Sequence, residues 1–525
     1  MQTNLTCIRL IVHVDSMQNV LVQPKCSAIA AAVLDDPLKY EMLKTPFQEM
    51  FIAIANGDVD ISTSQTTLTV DRDIHESSSH QGMAFSTPYF YYGTVFYGIP
   101  EYVDCADRGE TVAGSCRNLT VCVLDRSVYS DFVRLHLRGS ATQPVQFTEE
   151  MFTRLKDGRC NVIAGSRLAV HEHLNREEST QEELKNFIIS SKFHGRDPKT
   201  LTTRNDDAVF SDLVNWLLRA LIQAEAMNIT KESAHLFPST LLFGEAYTHM
   251  FRNAIAAVGN YGDMYNRAWG QIERLPGSIN TPHVQRDDAG LLYPYPWGNI
   301  DQIDGTLLGP IPNGTLDNIS HRHKLSCGVL LGRPGLAEFN GMGLDVDYCR
   351  VLSAALFAGD TKSVSLIPIG SLGDGFLALA SGEIDVLSGA VYNMENDVRE
   401  PLTGVGYAFS EVYYYYESPF LDTVLPLAMA TREDDPQWTD FVRTMVSCTI
   451  HAEASAIVSE SASQMPTLEL FGPTYRQALQ DVVYSIGNYA EIYSRNMEQY
   501  LPRANNTRNT LNTGTSPLFY SIWKF

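Results

Sequence analysis

Nine cysteines and a few histidines, arginines and hydroxyls are the residues of this 525-residue chain with chemistry to offer. The cysteines are Cys7, Cys26, Cys105, Cys116, Cys122, Cys160, Cys327, Cys349 and Cys448. None forms a C-x-x-C, so zinc ribbons and thioredoxin-like redox sites have little support. Buried free thiols are one reading and disulfides the other, and an internal repeat described below favours disulfides. His171 and His173 in "HEH" and His321 and His323 in "HRH" are spaced i, i+2 on polar segments, where histidines are usually solvated; no metal site is expected. There is no P-loop, G-x-S-x-G, H-E-x-x-H or EF-hand loop. No catalytic residue, cofactor or enzyme activity is therefore expected.

Composition narrows the partners. The chain carries 39 Lys+Arg against 61 Asp+Glu, a net charge of −22, with no basic run of five or six. Duplex nucleic acid draws much of its affinity from phosphate neutralisation, so it is excluded as a partner. No stretch of 18 apolar residues occurs, and runs such as Val424–Ala430 are too short to span a bilayer. Met1–Cys7 lacks a basic segment followed by an apolar one, so no signal peptide is visible and the N-terminus is expected to be truncated. The length suits three or four domain-sized units.

The elements that must position any site come from a repeat. "LTCIRLIVHVDSMQNVLVQPKCSAIAAAV" (5–33) matches "LSCGVLLGRPGLAEFNGMGLDVDYCRVLSAAL" (325–356), bringing Cys7 onto Cys327 and Cys26 onto Cys349. "FIAIANGDVDIS" (51–62) matches "FLALASGEIDVLS" (376–388), and Ser86 falls on Ser410, an offset of 324. The offset then drops: "TRNDDAVFSDLVNWLLRALIQAEA" (203–226) matches "TREDDPQWTDFVRTMVSCTIHAEA" (431–454) at 228. The second copy thus lacks about 96 residues that the first carries near 98–197, the difference between the two offsets.

Periodicity gives each copy its structure. Residues 6–12 and 326–331 read as buried strands. Phe51–Ala55 and Phe376–Ala380 read as helices ending at Gly57 and Gly382. Phe210, Leu213, Val214, Leu217 and Leu221 form a helical apolar stripe. The removable insert has its own strand and helix signals at 119–125 and 149–165. The expected fold is α/β: a two-lobe unit at 1–300 (lobe 1 at 1–97 and 198–300, lobe 2 at 98–197). A linker at 301–323 and a lobe-1-only domain at 324–525 follow.

These residues resemble the type II periplasmic solute-binding proteins, family 3, and within it the general L-amino-acid binders of ABC transporters. The resemblance rests on "GLDVDYC" (343–349), "SGEIDVLS" (381–388), "TTLTVDRD" (66–73), "DGRCNV" (157–162) and the paired "VGNYGDMYNR" and "IGNYAEIYSR". It implies a periplasmic-binding-protein clamshell in which an amino acid is trapped between two closing lobes. It implies disulfides Cys122–Cys160 and, through the repeat, Cys7–Cys26 and Cys327–Cys349, which leaves Cys105–Cys116 as neighbours and Cys448 odd. Such bonds imply an oxidising, extracellular or periplasm-like compartment. Six sequons, at Asn4, Asn118, Asn228, Asn313, Asn318 and Asn505, fit a secreted glycoprotein.

The resemblance also assigns a site. Arg72 matches the carboxylate-clamping arginine, and Thr67 and Thr69 match the hydroxyls beside it. A planar guanidinium grips a carboxylate bidentately, which lysine cannot. The family's ammonium-binding acid is replaced by Ser166, followed by Arg167, and the other lobe 2 segment presents Arg126 and Ser127. The expected ligand is an amino acid or related carboxylate held by a diverged site. The alternatives are a non-binding scaffold that keeps the clamshell and, third, a dehydratase-type enzyme on the same fold. The 324–525 domain, lacking a second lobe, is expected to dock on the first module or another protein.

Overall fold

The computed structural model describes residues 8–13, 19–174, 186–269, 308–417, 424–503 and 508–511. The first half supplies ten strands: β1 (Ile8–His13), β2 (Tyr40–Thr45), β3 (Ile61–Thr67), β4 (Met83–Phe85), β5 (Phe90–Gly98), β6 (Thr120–Leu124), β7 (Ala141–Val145), β8 (Val162–Ser166), β9 (Ile188–Ile189) and β10 (His194–Arg204). They pair in the order β2-β1-β3-β10-β5-β8-β6-β7, with β4 on β10 and β9 on β5. β1, β2 and β3 are parallel, as are β6, β7 and β8, because helices connect them. β5 and β10 are antiparallel to each other and lie between the two parallel groups. The chain leaves the first lobe along β5 and returns along β10, so both strands border the space between the lobes.

Each lobe has its own core. In the first, the apolar stripe of helix Ala208–Ala226 is buried as its spacing predicts, and Asp207 caps the helix by accepting the Phe210 N–H. In the second, successive residues of β5 point to opposite faces: Val95 packs with Leu155 and Ile163, Phe96 with Val121 and Val133. Gly57 and Gly382 follow their helices with φ of 72° and 77°, the left-handed conformation that ends a helix cheaply only at glycine.

The second half forms a six-stranded sheet: β11 (Leu325–Val329), β12 (Val364–Pro368), β13 (Val386–Val391), β14 (Tyr407–Phe409), β15 (Tyr414–Glu417) and β16 (Val424–Arg432). Its order, β12-β11-β13-β16-β14 with β15 on β16, is the order of β2, β1, β3, β10 and β4 with β5 on β10. Part of the expected linker is not a bare connector. Residues 315–322 are helical, because Leu316 and Ile319, three apart, bury their side chains fully in the second core. Residues 301–307 lie outside the described residues.

Three disulfides are formed: Cys105–Cys116, Cys122–Cys160 and Cys327–Cys349, with Cα separations of 5.6, 5.7 and 6.0 Å. The fourth expected bond is corrected. Cys26 is a free buried thiol whose sulfur lies 3.8 Å from the Thr63 hydroxyl, and burial pushes it up to about 11. Cys7, its expected partner, lies outside the described residues. Asn118, Asn228, Asn313 and Asn318 are exposed; Asn4 and Asn505 are outside the described residues.

Candidate functional site between the lobes

Arg72 lies on the helix Val70–His75, directly after β3, and is only 6% exposed. Its Nη1 donates to the Thr67 carbonyl at 3.1 Å, within the first lobe, and its Nη2 to the Arg126 carbonyl at 3.3 Å, in the second. Phe47 and Phe51 bring their ring centroids to 5.5 and 5.4 Å from the guanidinium carbon. These rings exclude water from the base of the arginine and favour the cation through their faces. Arg126 adopts φ of 54°, and its carbonyl receives Arg72 while its side chain is exposed.

β10 brings two further charges to the same place. Residues 197 and 199 alternate with Pro198, so a strand points both to one face. Lys199 Nζ donates to Thr67 Oγ1 at 2.6 Å, and its charge lies 5.5 Å from the Tyr129 ring centroid. Burial lowers the Lys199 amine to about 8, with Asp197 opposing the shift. Burial raises the Asp197 carboxyl, with Lys199 and Arg72 holding it back, and its buried Oδ2 makes no hydrogen bond. Tyr129 bonds Ser166, and burial pushes its phenol up. The cluster therefore contains two cations, one acid with an open acceptor oxygen, and a phenol. Carboxylate and ammonium could both be met here.

The other expected residues do local work. Thr69 starts the helix Val70–His75 and gives its hydroxyl to Asp71. Ser127 caps the helix Val128–His136, accepting the Ser130 N–H at 3.3 Å and donating to the Leu124 carbonyl at 2.6 Å. Ser166 accepts the Ala169 N–H. Arg167 donates to His171 Nε2 at 3.3 Å and sits 5.4 Å from the Phe193 ring centroid. His173 stacks on Phe152 at 3.8 Å. No group of three His, Cys, Asp or Glu among the described residues could hold a metal ion.

Asp197 and Lys199 were not expected. The signal available was "GRDPKT" (195–200), an acid and a base two apart on the strand that re-enters the first lobe. The second half has two buried carboxylate clusters of its own. Arg333 and Tyr413 both bond Asp345 at 2.5 Å, and Arg350, Arg495 and Asn496 hold Asp347. Arg399 is exposed.

A cavity of about 300 Å³ lies where the two halves meet. Asp73, Asp212, Asp397, Glu411, Arg219 and Arg443 line it. Burial raises both Asp397 and Glu411 to about 7. Asp212 rises well above the ordinary range for the same reason, with Asp397 and Glu433 adding repulsion.

No protein-family model matches the chain. The general L-amino acid-binding periplasmic protein AapJ of Rhizobium johnstonii is 26% identical over 276 residues, 47% of this chain and 74% of that protein. The glutamate/glutamine/aspartate/asparagine-binding protein BztA of Rhodobacter capsulatus is 23% identical over 295 residues, 52% of this chain and 82% of that protein. A solved ABC transporter periplasmic binding protein from Brucella ovis, with glutathione bound, covers 53% of this chain and 92% of its own. It has 20% identity and a TM-score of 0.42. Over about half its length, the chain is a homologue of the periplasmic binding proteins of amino-acid ABC transporters. No helix among the described residues is long and apolar enough to cross a membrane.

Proposed function

We propose that residues 1–300 bind an amino acid or a related small carboxylate by closure of two lobes, and that 324–525 is a second, lobe-1-only unit. The observation that carries this reading is the Arg72–Asp197 pairing of roles. Arg72 is buried at the lobe boundary, where it donates to a neutral backbone carbonyl of the opposite lobe. A ligand carboxylate would exchange with that carbonyl for a charge-assisted bond, roughly twice as strong as a neutral one. Asp197 Oδ2, buried without a partner, would accept an α-ammonium. Asp197 would thus replace the acid missing at Ser166.

The names of AapJ and BztA, both amino-acid binders, support the reading. The disulfides and that kinship support an extracellular or periplasm-like location. The scaffold alternative draws on the same Arg72–Arg126 bond, since it joins the lobes without a ligand. Thermal denaturation against the twenty amino acids and a set of dicarboxylic acids, for wild type and Arg72→Met, separates the two. Binding raises Tm in the wild type and not in R72M. No shift with any compound at millimolar concentration leaves the scaffold reading.

A further inference from the structure

The junction between the halves is built twice, from positions 324 apart. On the helix Val70–His75, Val70 belongs to the apolar core of the second half and Ile74 packs against it. Met394 and Val398, on the helix Met394–Val398, pack against the core of the first. Asp73 accepts Arg443 Nη1 at 2.9 Å, and Asp397 accepts the Trp216 indole N–H at 2.7 Å. Each short helix inserts into the opposite half. This is the reciprocal pattern of a two-fold interface, made within one chain.

The helix Val70–His75 has six residues. A helix that short closes too few hydrogen bonds to hold itself, so its place is set by what it touches. Val70 and Ile74, four apart, lie on one face and are seated in the second half. Asp73 faces Arg443, which also lies 3.7 Å from Asp440 and 4.0 Å from Glu411. Arg72, the adjacent residue, faces the cleft. A shift of this helix by one ångström would break the 3.3 Å bond from Arg72 to the opposite lobe.

We infer that the second half positions the cleft: Arg443, acting through Asp73, fixes the helix that carries Arg72 and so sets the reach of Arg72 to the second lobe. The inference rests on the cleft reading given above. Arg443 touches no ligand in this scheme; it is a positioning residue. Removing its charge leaves Asp73, 6% exposed, without its cation.

The test uses the full chain and its Arg443→Met, Arg443→Lys and Arg72→Met variants. Hydrogen-exchange mass spectrometry reads the peptide covering 68–77, and calorimetry reads the affinity for whichever amino acid or dicarboxylate the wild type binds. In R443M, exchange in 70–76 rises and affinity falls, each about tenfold, the scale of one lost charge-assisted hydrogen bond. R443K restores most of both, because lysine still pairs with Asp73. Unchanged exchange in R443M overturns the inference. So does a rise that R443K fails to reverse, which would mean lost packing and not a lost charge. If R72M abolishes binding while R443M binds as wild type does, the inference fails and the cleft reading stands. If the wild type binds nothing in the panel, the cleft reading fails and takes the inference with it.

Discussion

Trp216 donates its indole N–H to Asp397 across the junction at 2.7 Å, with the tryptophan fully buried and the carboxylate 6% exposed. Arg219, one turn further along the same helix, moderates the charge of Asp397. The two halves are thus joined by a polar bond inside an apolar contact. Leaving a buried acceptor unsatisfied costs about 1–3 kcal/mol, more when it is charged. Trp216→Phe is therefore expected to lower the urea-unfolding free energy by about 2 kcal/mol at pH 8 and by less at pH 5, where Asp397 is protonated. A W216F/D397N cycle isolates the bond, and a coupling energy near zero would show that it contributes nothing.

Stability should depend on pH in two opposed limbs. Asp397 and Glu411 are both raised to about 7 by burial, so the fold binds protons there that the unfolded chain has lost. Their stabilisation is full below about pH 4 and is lost as pH rises through about 7. Lys25 is lowered to about 7 and Lys199 to about 8, also by burial, so the fold holds fewer protons there than the unfolded chain. That penalty is present at pH 7 and is relieved as pH rises toward about 10. Urea unfolding at intervals from pH 4 to 10 should show these groups contributing least near neutrality. Asp397→Asn should flatten the acid limb and Lys25→Met the alkaline one. A variant whose limb keeps the wild-type slope would acquit that residue.

The thiols should sort cleanly by burial. Cys26 and Cys448 are both buried and free, and burial pushes each thiol up, Cys26 to about 11. Iodoacetamide on the native chain should leave both unlabelled, and denaturation without reductant should expose both to alkylation, as peptide mass spectrometry would show. Reduction should lower Tm, with Cys122–Cys160 contributing most because its loop of 38 residues is the longest of the three. Loop closure of that size stabilises by about 3–4 kcal/mol. Cys122→Ser/Cys160→Ser matching the other paired variants in Tm would contradict that ranking.

The alternation of strands and helices was legible because it is local. The stripe from Phe210 to Leu221 and the helix stops at Gly57 and Gly382 follow from spacing and φ alone. The disulfides Cys122–Cys160 and Cys327–Cys349 followed from the repeat and the family likeness, whereas Cys26 did not keep the pattern. Arg72 was legible as a motif, but its partners were not. Which carbonyl it meets depends on how two lobes approach across β5 and β10. The adjacency of Arg167 to Ser166 carried no information about direction, and the structure turns it onto His171. The junction was the least legible, because Asp73–Arg443 joins residues 370 apart through a contact that no local pattern encodes.

Asp197 offers the sharpest chemical test of the cleft. Its Oδ2 is buried without a hydrogen bond, and the two nearby cations, Lys199 and Arg72, pull its carboxyl back toward ionisation. If it receives an α-ammonium, Asp197→Asn removes the countercharge for that group and spares the grip on the carboxylate. Binding of α-amino acids should weaken by about 2–3 kcal/mol, roughly 30- to 150-fold, on losing a hydrogen bond to a charged acceptor. Dicarboxylic acids without an amine should bind D197N as well as wild type or better, since a negative charge has left the site. Calorimetry with matched pairs, glutamate against glutarate and aspartate against succinate, reads the difference directly. Equal losses for both members of a pair would mean that Asp197 supports Lys199 and the strand, and that the ammonium, if bound, is held elsewhere.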